Sequence, residues 1–485
     1  MKKELGVLCH VSSLTSEYGI GDFGKSSYKF IDFLHKNNFN LWQILPLNKT
    51  NEFNCPYASI CCYSMDEMFL SLEEFLENRT IKLEDLKVLK KLSNRKKVKY
   101  SMVKAEKLKI LDIIYSSLTQ KDKKEVEKQV KKHFWLIDYA YFQAVLNVFN
   151  VQDFRKISHE LWDKNSKQYQ EFKKEHLNEI VKIAYFQLKL IEQWQKVKKY
   201  ANEKGIRILG DMPIYPDKKS FEVFANSNQF KLDKNKEPTV FGGVPADDFC
   251  ADGQNWGTCV YDWKEMQKDN YKFMIGKIKH ALKNYDILRL DHFFGYVKHY
   301  EWNAKKEKTG KWVKTDANDF FSCLKKEVNL NNLVIEDLGF NLKEANDIKA
   351  KFNLKGMSVM QMCLTGEHNN RYLPEYVKQN EIYFLGTHDN NTFIGFLKSL
   401  NKEERIRFCN LIGIENKNNK QILIDAIKKM TNSESETIVL TMQDLMQQDG
   451  NSRMNIPGQM ANCWEYKMPK NYQKKTKKVL KQIKI

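Results

Sequence analysis

The run DILRLD, residues 286–291, places Ile287, Leu288 and Leu290 around a single arginine and ends on a carboxylate. Short, apolar and closed by a polar residue, it predicts a buried strand that carries Arg289 and Asp291 on one face. Seven other runs share this design: LGVLCH (5–10), NLWQILPL (40–47), IRILGD (206–211), NLVIED (332–337), MSVMQM (357–362), EIYFLGTHD (381–389) and TIVLTMQD (437–444). Most are separated by helix-sized segments. Eight strands alternating with helices predict an α/β fold, a (β/α)8 TIM barrel.

Breaker residues show where the barrel is interrupted. No glycine lies between Gly24 and Gly205, and no proline between Pro56 and Pro213. Runs there such as VKAEKLKILDIIYSSL and LIDYAYFQAVLNVF repeat apolar residues at three- and four-residue steps, with Lys and Glu in the gaps. The pattern predicts a large helical insertion over 65–200, with Phe134, Trp135, Tyr139, Tyr141 and Phe142 in its core. The segment 212–285 is too long and too rich in Gly, Pro, Asn and Asp for one crossover helix, and reads as a loop subdomain beyond the third strand. The barrel is then built from 1–64 and 201–464, followed by a basic tail over 465–485.

The chain of 485 residues has 80 Lys and Arg against 61 Asp and Glu, a formal charge of +19. That excess would suit nucleic acid, but it is peripheral. Residues 71–200 hold 29 basic against 18 acidic side chains, and the last 21 residues hold eight Lys and one Glu. Only nine arginines occur in the whole chain. Arginine is the residue that forks onto phosphates and guanine edges, so the excess reads as solvated helix faces, with no nucleic-acid partner. Hydrophobic content of 42% with 12% aromatics excludes a disordered chain. No apolar run approaches the roughly 18 residues of a membrane span, and no long apolar segment follows Met1-Lys2-Lys3, so no membrane partner is expected. Ten cysteines lie scattered without paired CxxC units, which predicts reduced thiols in a cytoplasmic protein.

Barrel enzymes carry their chemistry where strands end. Here the strand runs end in Asp211, Asp291, Glu336 with Asp337, and Asp389, with His292 and His388 directly beside two of them. A single Asp at a strand end is often only a cap for the following loop. Several on converging strands are what glycosidic chemistry needs: a general acid, and a nucleophile about 5 Å away. Metal binding is the competing use of these histidines, but they lack HxH or HExxH spacing, so no metal is expected. No GxGxxG or GKS/T phosphate cradle appears, and no cofactor is expected.

Nine ordered blocks make a resemblance specific: GIGDFG (19–24), LWQILPL (41–47), GDMPIY (210–215), GVPADDF (243–249), GQNWG (253–257), RLDHF (289–293), IEDLG (335–339), GTHDNNT (386–392) and RMNIPG (453–458). They resemble those of the 4-α-glucanotransferases, the amylomaltases or disproportionating enzymes related to α-amylases. The resemblance runs from about Gly6 to Trp464. It implies that Asp291 is the nucleophile, Glu336 the general acid/base, and Asp389 a third carboxylate that grips sugar hydroxyls. It implies hydroxyl contacts from His292 and His388, and support of the nucleophile region by Asp211, for which a turn cap is the alternative. Arg289, on the face of Asp291, is expected to keep that carboxylate ionised. Tyr57, Trp256 and Asn455 match loop residues lining the sugar groove; for Trp256 a loop anchor is the alternative. Arg453 can instead hold its own loop and is not placed in the site.

The activity implied is retaining transfer of α-1,4-glucan segments between maltooligosaccharides, with loops 243–257 and 453–464 excluding water. A hydrolase of the same fold, a glucan-binding protein without catalysis and a nucleic-acid binder are the rivals. Two departures from the family pattern stand out: Ala246 where a second proline is frequent, and Asn462-Cys463 where a Gly-Asn pair is usual.

Overall fold

A computed structural model describes residues 3–245, 253–306, 309–339, 343–364, 370–459 and 461–483. Its strands in chain order are β1 (Glu4–Leu8), β2 (Leu41–Gln43), β3 (Arg207–Met212), β4 (Val240–Val244), β5 (Gln254–Cys259), β6 (Ile287–Leu290), β7 (Lys298–Asn303), β8 (Gly310–Lys314), β9 (Leu333–Ile335), β10 (Gly356–Val359), β11 (Glu381–Phe384) and β12 (Thr437–Thr441). Eight of them form one parallel sheet in the order β10-β11-β12-β1-β2-β3-β6-β9. The two ends of that order meet at a single bridge, Val334 to Lys355, which closes the (β/α)8 barrel. All eight predicted runs are these strands.

Strand alternation decides what fills the barrel. Leu8, Leu41, Leu209, Ile287, Val334, Met357, Val359, Ile382, Phe384 and Val439, from all eight strands, make a cluster of their own inside it. Gly6 leaves room there, because a Cβ would lie 2.9 Å from Val439 Cγ2 and 3.1 Å from Leu41 Cδ2. Opposite faces pack outward; Trp42 is fully buried, and its indole N–H donates to the Cys9 carbonyl (2.8 Å).

Helices dominate the span between β2 and β3. The longest, Leu177–Glu203, buries Ile180, Ala184, Gln187, Leu190, Trp194, Val197 and Ala201 at helical spacing. It also packs on β3 and on the helix Lys25–Lys36, so it serves the barrel as well as the neighbouring helices, and its last turn passes the boundary drawn at 200. Polar side chains moor the chain beneath it. Gln187 exchanges two hydrogen bonds with the backbone of Met65 (2.9 and 2.9 Å), and Gln193 two with Ser71 (2.8 and 3.1 Å). The buried Lys107 ammonium donates to the carbonyls of Met68 (2.5 Å) and Leu70 (2.7 Å). Trp135, Tyr139, Tyr141 and Phe142 are buried as expected, but Phe134 is 69% exposed.

A second, antiparallel sheet of order β5-β4-β7-β8 joins the excursion after β3 to the excursion after β6. The sequence reading of 212–285 as a separate loop region did not foresee this shared sheet. That segment also ends in a barrel helix, Lys272–Asn284, packed on β3 and β6. The basic stretch near the C-terminus forms the helix Tyr472–Ile483, which buries Tyr472, Thr476, Val479 and Ile483 and leaves Lys474, Lys475, Lys477, Lys478 and Lys481 in solvent. Among the described residues no helix is long and apolar enough to cross a membrane, and the nine described cysteines are unpaired.

Candidate active site

Register brings the carboxylates together. Asp211 on β3 pairs with Arg289 on β6, and Leu290 pairs with Ile335 on β9, so Asp291 and Glu336 follow side by side at the ends of adjacent strands. The ladder extends one step past the strands, with Asp291 N–H on the Met212 carbonyl (3.2 Å) and Glu336 N–H on the Leu290 carbonyl (3.0 Å). By alternation all four side chains continue the rows of Leu209, Ile287 and Val334, hence they point into the barrel mouth.

Arg289 organises the floor of the site. Its Nη1 lies 2.7 Å from Asp211 Oδ2 and 3.0 Å from Asp291 Oδ1, and its side chain is 5% exposed. The Tyr57 hydroxyl donates to the same Asp211 oxygen (2.7 Å). Asp291 is pulled both ways. Burial, together with the charges of Asp211 and Asp389, outweighs Arg289 and pushes its pKa up to about 6. The arginine counteracts that rise without cancelling it, since its closer partner is Asp211.

Glu336 sits in a different electrostatic setting. Burial pushes its pKa up to about 8; Arg289 opposes this, whereas the charges of Asp291 and Asp337 add to it. One oxygen accepts the His292 N–H (2.9 Å) and the other the Leu338 N–H (3.3 Å). His292 is in the left-handed region (φ 46°), at the turn where the chain leaves β6. Near neutral pH Asp291 is therefore largely ionised while Glu336 retains its proton. Two carboxyls whose environments push their pKa values apart are suited to serve one as acid and the other as nucleophile.

Asp389 stands opposite. Burial acts to raise its pKa, but His388 at 3.2 Å, Asn455 and Arg289 together hold it well below the usual carboxylate range. Asn455 Nδ2 donates to Asp389 Oδ1 (2.6 Å), and Arg453 donates to the carbonyls of Asp389 (2.6 Å) and Asn455 (2.5 Å). Arg453 thus ties its loop to the segment that follows β11. The His388 ring stacks on Tyr57 (centroids 5.1 Å, 12°), and Trp464 packs 5.9 Å from Tyr57. His292 lies in the other half of the site, edge-on to Trp256 at 4.9 Å. Trp256 is not on a loop; it belongs to β5, where its indole N–H reaches Gln254 Oε1 (3.2 Å) and its ring neighbours Tyr215 (6.4 Å). The GQNWG composition reads as a turn, and only the ladder with β4 makes it a strand.

All ten predicted site residues are described, and these contacts link them into one constellation. A family model for 4-alpha-glucanotransferase matches residues 9–473 of the chain. The chain belongs to the 4-alpha-glucanotransferase family. Among relatives, the 4-alpha-glucanotransferase of Aquifex aeolicus is 34% identical over 99% of this chain and 98% of its own. That of Clostridium butyricum is 31% identical over 95% and 96%. The amylomaltase of Streptococcus agalactiae, solved in complex with acarbose, superposes with a TM-score of 0.92 at 28% identity, covering 99% of this chain and 98% of that one.

Within this family setting, two features went unread in the sequence. His10 ends the first strand run; it is 3% exposed, and burial and the charge of His388 push its pKa down to about 3. Its position at a strand end, as for His388, was the available signal. Asp337 was grouped with Glu336, yet neighbours on a strand point to opposite faces. It is buried outside the barrel mouth, against Lys349 (2.8 Å) and Arg371 (3.1 Å). Among the described residues no group of three or more His, Cys, Asp or Glu has the geometry to hold a metal ion. Ala246 and part of the 243–257 loop lie outside the described residues, as does Met460 in the 453–464 loop. Asn462 is in the left-handed region (φ 61°), as is Trp464 (φ 66°), a conformation in which asparagine is well tolerated.

Proposed function

We propose that the chain transfers segments of α-1,4-glucans between maltooligosaccharides in the cytoplasm by a retaining double displacement. The observation that carries this reading is the side-by-side placement of Asp291 and Glu336 on adjacent strand ends, and the burial that raises the Glu336 pKa further than that of Asp291 suits Glu336 to give a proton and Asp291 to attack. An Asp291 carboxylate oxygen attacks the anomeric carbon while Glu336 gives its proton to the departing glycosidic oxygen. The C1–O bond breaks, the reducing-end fragment leaves, and a glycosyl ester on Asp291 remains. The 4-hydroxyl of an acceptor glucan then loses its proton to Glu336 and attacks C1, which releases Asp291. Inversion at each step gives net retention.

Asp389, kept ionised by His388 and Asn455, accepts hydrogen bonds from sugar hydroxyls, and His292 and His388 contact the same sugar. Tyr57 and Trp256 offer ring faces, and Asn455 a polar edge, along the groove. Asp211 holds Arg289 in place. The 453–464 loop bears Asn455 and leads directly into Trp464, and we assign it to water exclusion. Acceptor size is assigned to the helical insertion 65–200, because it grips the last residue of that loop and the one after it: Tyr100 OH donates to the Trp464 carbonyl (3.0 Å), and Val98 N–H to the Glu465 carbonyl (2.9 Å).

Incubation with maltotriose alone, with Asp291→Asn in parallel, tests the reading. Glucose together with maltopentaose and longer chains, absent in the variant, is the expected result. Glucose and maltose without longer products would mean hydrolysis by the same carboxylates. A folded wild type as inert as the variant would overturn the catalytic reading.

A further inference from the structure

The barrel has one weak seam. Neighbouring barrel strands share ladders of three to five paired residues, but β9 and β10 share only the Val334–Lys355 bridge. Glu336 stands at the end of β9, directly on this seam. An ionic cluster of two buried carboxylates and two half-buried cations spans it. Asp337 Oδ1 accepts the Met357 N–H of β10 (2.9 Å), and its Oδ2 faces Lys349 (2.8 Å) and Arg371 (3.1 Å). Lys349 also binds Glu381 of β11 (2.7 Å), and the other Glu381 oxygen takes the Ser358 hydroxyl of β10 (2.8 Å). Arg371 adds a bond to the Met357 carbonyl (2.7 Å). Asp337 and Glu381 are 3% and 4% exposed. Gly356 is what admits the cluster, since a Cβ there would lie 2.2 Å from Lys349 Nζ and 2.9 Å from Asp337 Oδ2.

The cluster also reaches the acid. Asp337 sits between Glu336 and Leu338, whose N–H holds Glu336 Oε1, and the next N–H, of Gly339, is bonded to the Tyr372 hydroxyl (3.2 Å) beside Arg371. We propose that Asp337, clamped to Met357, Lys349 and Arg371, is a positioning residue that closes the β9–β10 seam and fixes the 336–338 backbone so that the Glu336 carboxyl stays aimed at the glycosidic oxygen. The proposal rests on the reading of Glu336 as general acid/base. Ion pairs of this kind are poor sources of net stability and in some proteins serve instead to fix one geometry, and a displacement of about 1 Å can cost about 10²-fold in rate.

Asp337→Asn keeps the shape and the Met357 bond but removes the charge that holds both cations. Its test compares two donors. Maltotriose needs a proton on its leaving oxygen; α-maltosyl fluoride does not, and azide as acceptor needs no base. With maltotriose, kcat should fall by about 10- to 100-fold with KM within twofold, a partial loss of a general-acid contribution. With the fluoride and azide, kcat should stay within threefold of wild type. Glu336→Gln is the reference and should show the same split more strongly. If Glu336→Gln treats both donors alike, the reading of Glu336 fails and the Asp337 proposal with it. If Glu336→Gln discriminates and Asp337→Asn slows both donors equally, or neither, the Asp337 proposal alone is overturned. Should Asp337→Asn not fold, Lys349→Gln decides by the same comparison, because it leaves the Asp337–Met357 bond in place.

Discussion

Arg289 gives one nitrogen to two carboxylates: Nη1 lies 2.7 Å from Asp211 Oδ2 and 3.0 Å from Asp291 Oδ1. Lysine at this position would keep the charge, but its side chain is one bond shorter and cannot put its nitrogen where Nη1 lies between the two carboxylates. Arg289→Lys should lower kcat/KM for maltotriose by about 10²- to 10³-fold, since a misplaced nucleophile forfeits most of its orientation. Arg289→Leu should in addition lose stability, on the order of 3–5 kcal/mol, by leaving the buried Asp211 and the half-buried Asp291 without this cation. Initial rates and thermal melts measure both; a lysine variant within threefold of wild type would count against this role.

The pH profile follows from the two raised carboxyls. The proposed roles require Asp291 ionised and Glu336 protonated, so kcat/KM should be bell-shaped, with limbs near 6 and 8 and a maximum near 7. In Glu336→Gln, assayed with α-maltosyl fluoride and azide, the alkaline limb should vanish. A profile still falling above pH 8 in that variant would refute the assignment.

Stability carries the opposite sign. Glu336 has a folded pKa near 8, above its unfolded value, so between about pH 4.5 and 8 the folded state holds a proton the unfolded chain has lost. Its contribution is full below that window and is lost as pH rises through it. Glu336→Gln should therefore melt about 1–3 °C above wild type at pH 8.5 and close to it at pH 4.5. Equal melting temperatures at both pH values would show that the carboxyl is not buried at this cost.

Tyr57 and Asn455 test the two sides of the site. Tyr57→Phe removes the hydroxyl on Asp211 Oδ2 but keeps the ring under His388, so the change should cost about 1–3 kcal/mol of stability and about tenfold in kcat/KM. Asn455→Asp puts a second carboxylate against Asp389 Oδ1 in place of a donor. Maltotriose KM should rise by about tenfold or more, because the added charge replaces the donor that holds the Asp389 carboxylate in place. An unchanged KM would remove Asn455 from the groove.

Legibility in the sequence followed from how local each signal was. All eight barrel strands could be placed because each is a short apolar or alternating run that leads into a polar cluster, although NLWQILPL yields only Leu41–Gln43 as ladder. Asp211, Asp291, Glu336 and Asp389 were legible as strand ends. The balance among them was not, because the pKa of Asp291 depends on Asp211 and Asp389, which lie 80 residues before it and 98 after it. Trp256 was misplaced for a related reason: β5 is a strand only by pairing with β4, and β4 in turn pairs with β7, beyond the fourth barrel strand. The opposite orientations of Glu336 and Asp337 were available from alternation alone.

The antiparallel sheet has a mechanical consequence. Strand β5 carries Trp256, and β7 begins six residues after His292, so the two walls that meet at the Trp256–His292 contact are welded into one plate by β4. A push on either excursion is transmitted to the other instead of being absorbed by a loop. Amides of β4, β5 and β7 should accordingly open as one unit in native-state hydrogen exchange, with a shared free energy; separate opening of β5 would show two independent flaps. If the plate does move as one, a glucan entering between these walls meets a rigid jaw, and widening that jaw requires tilting the whole sheet.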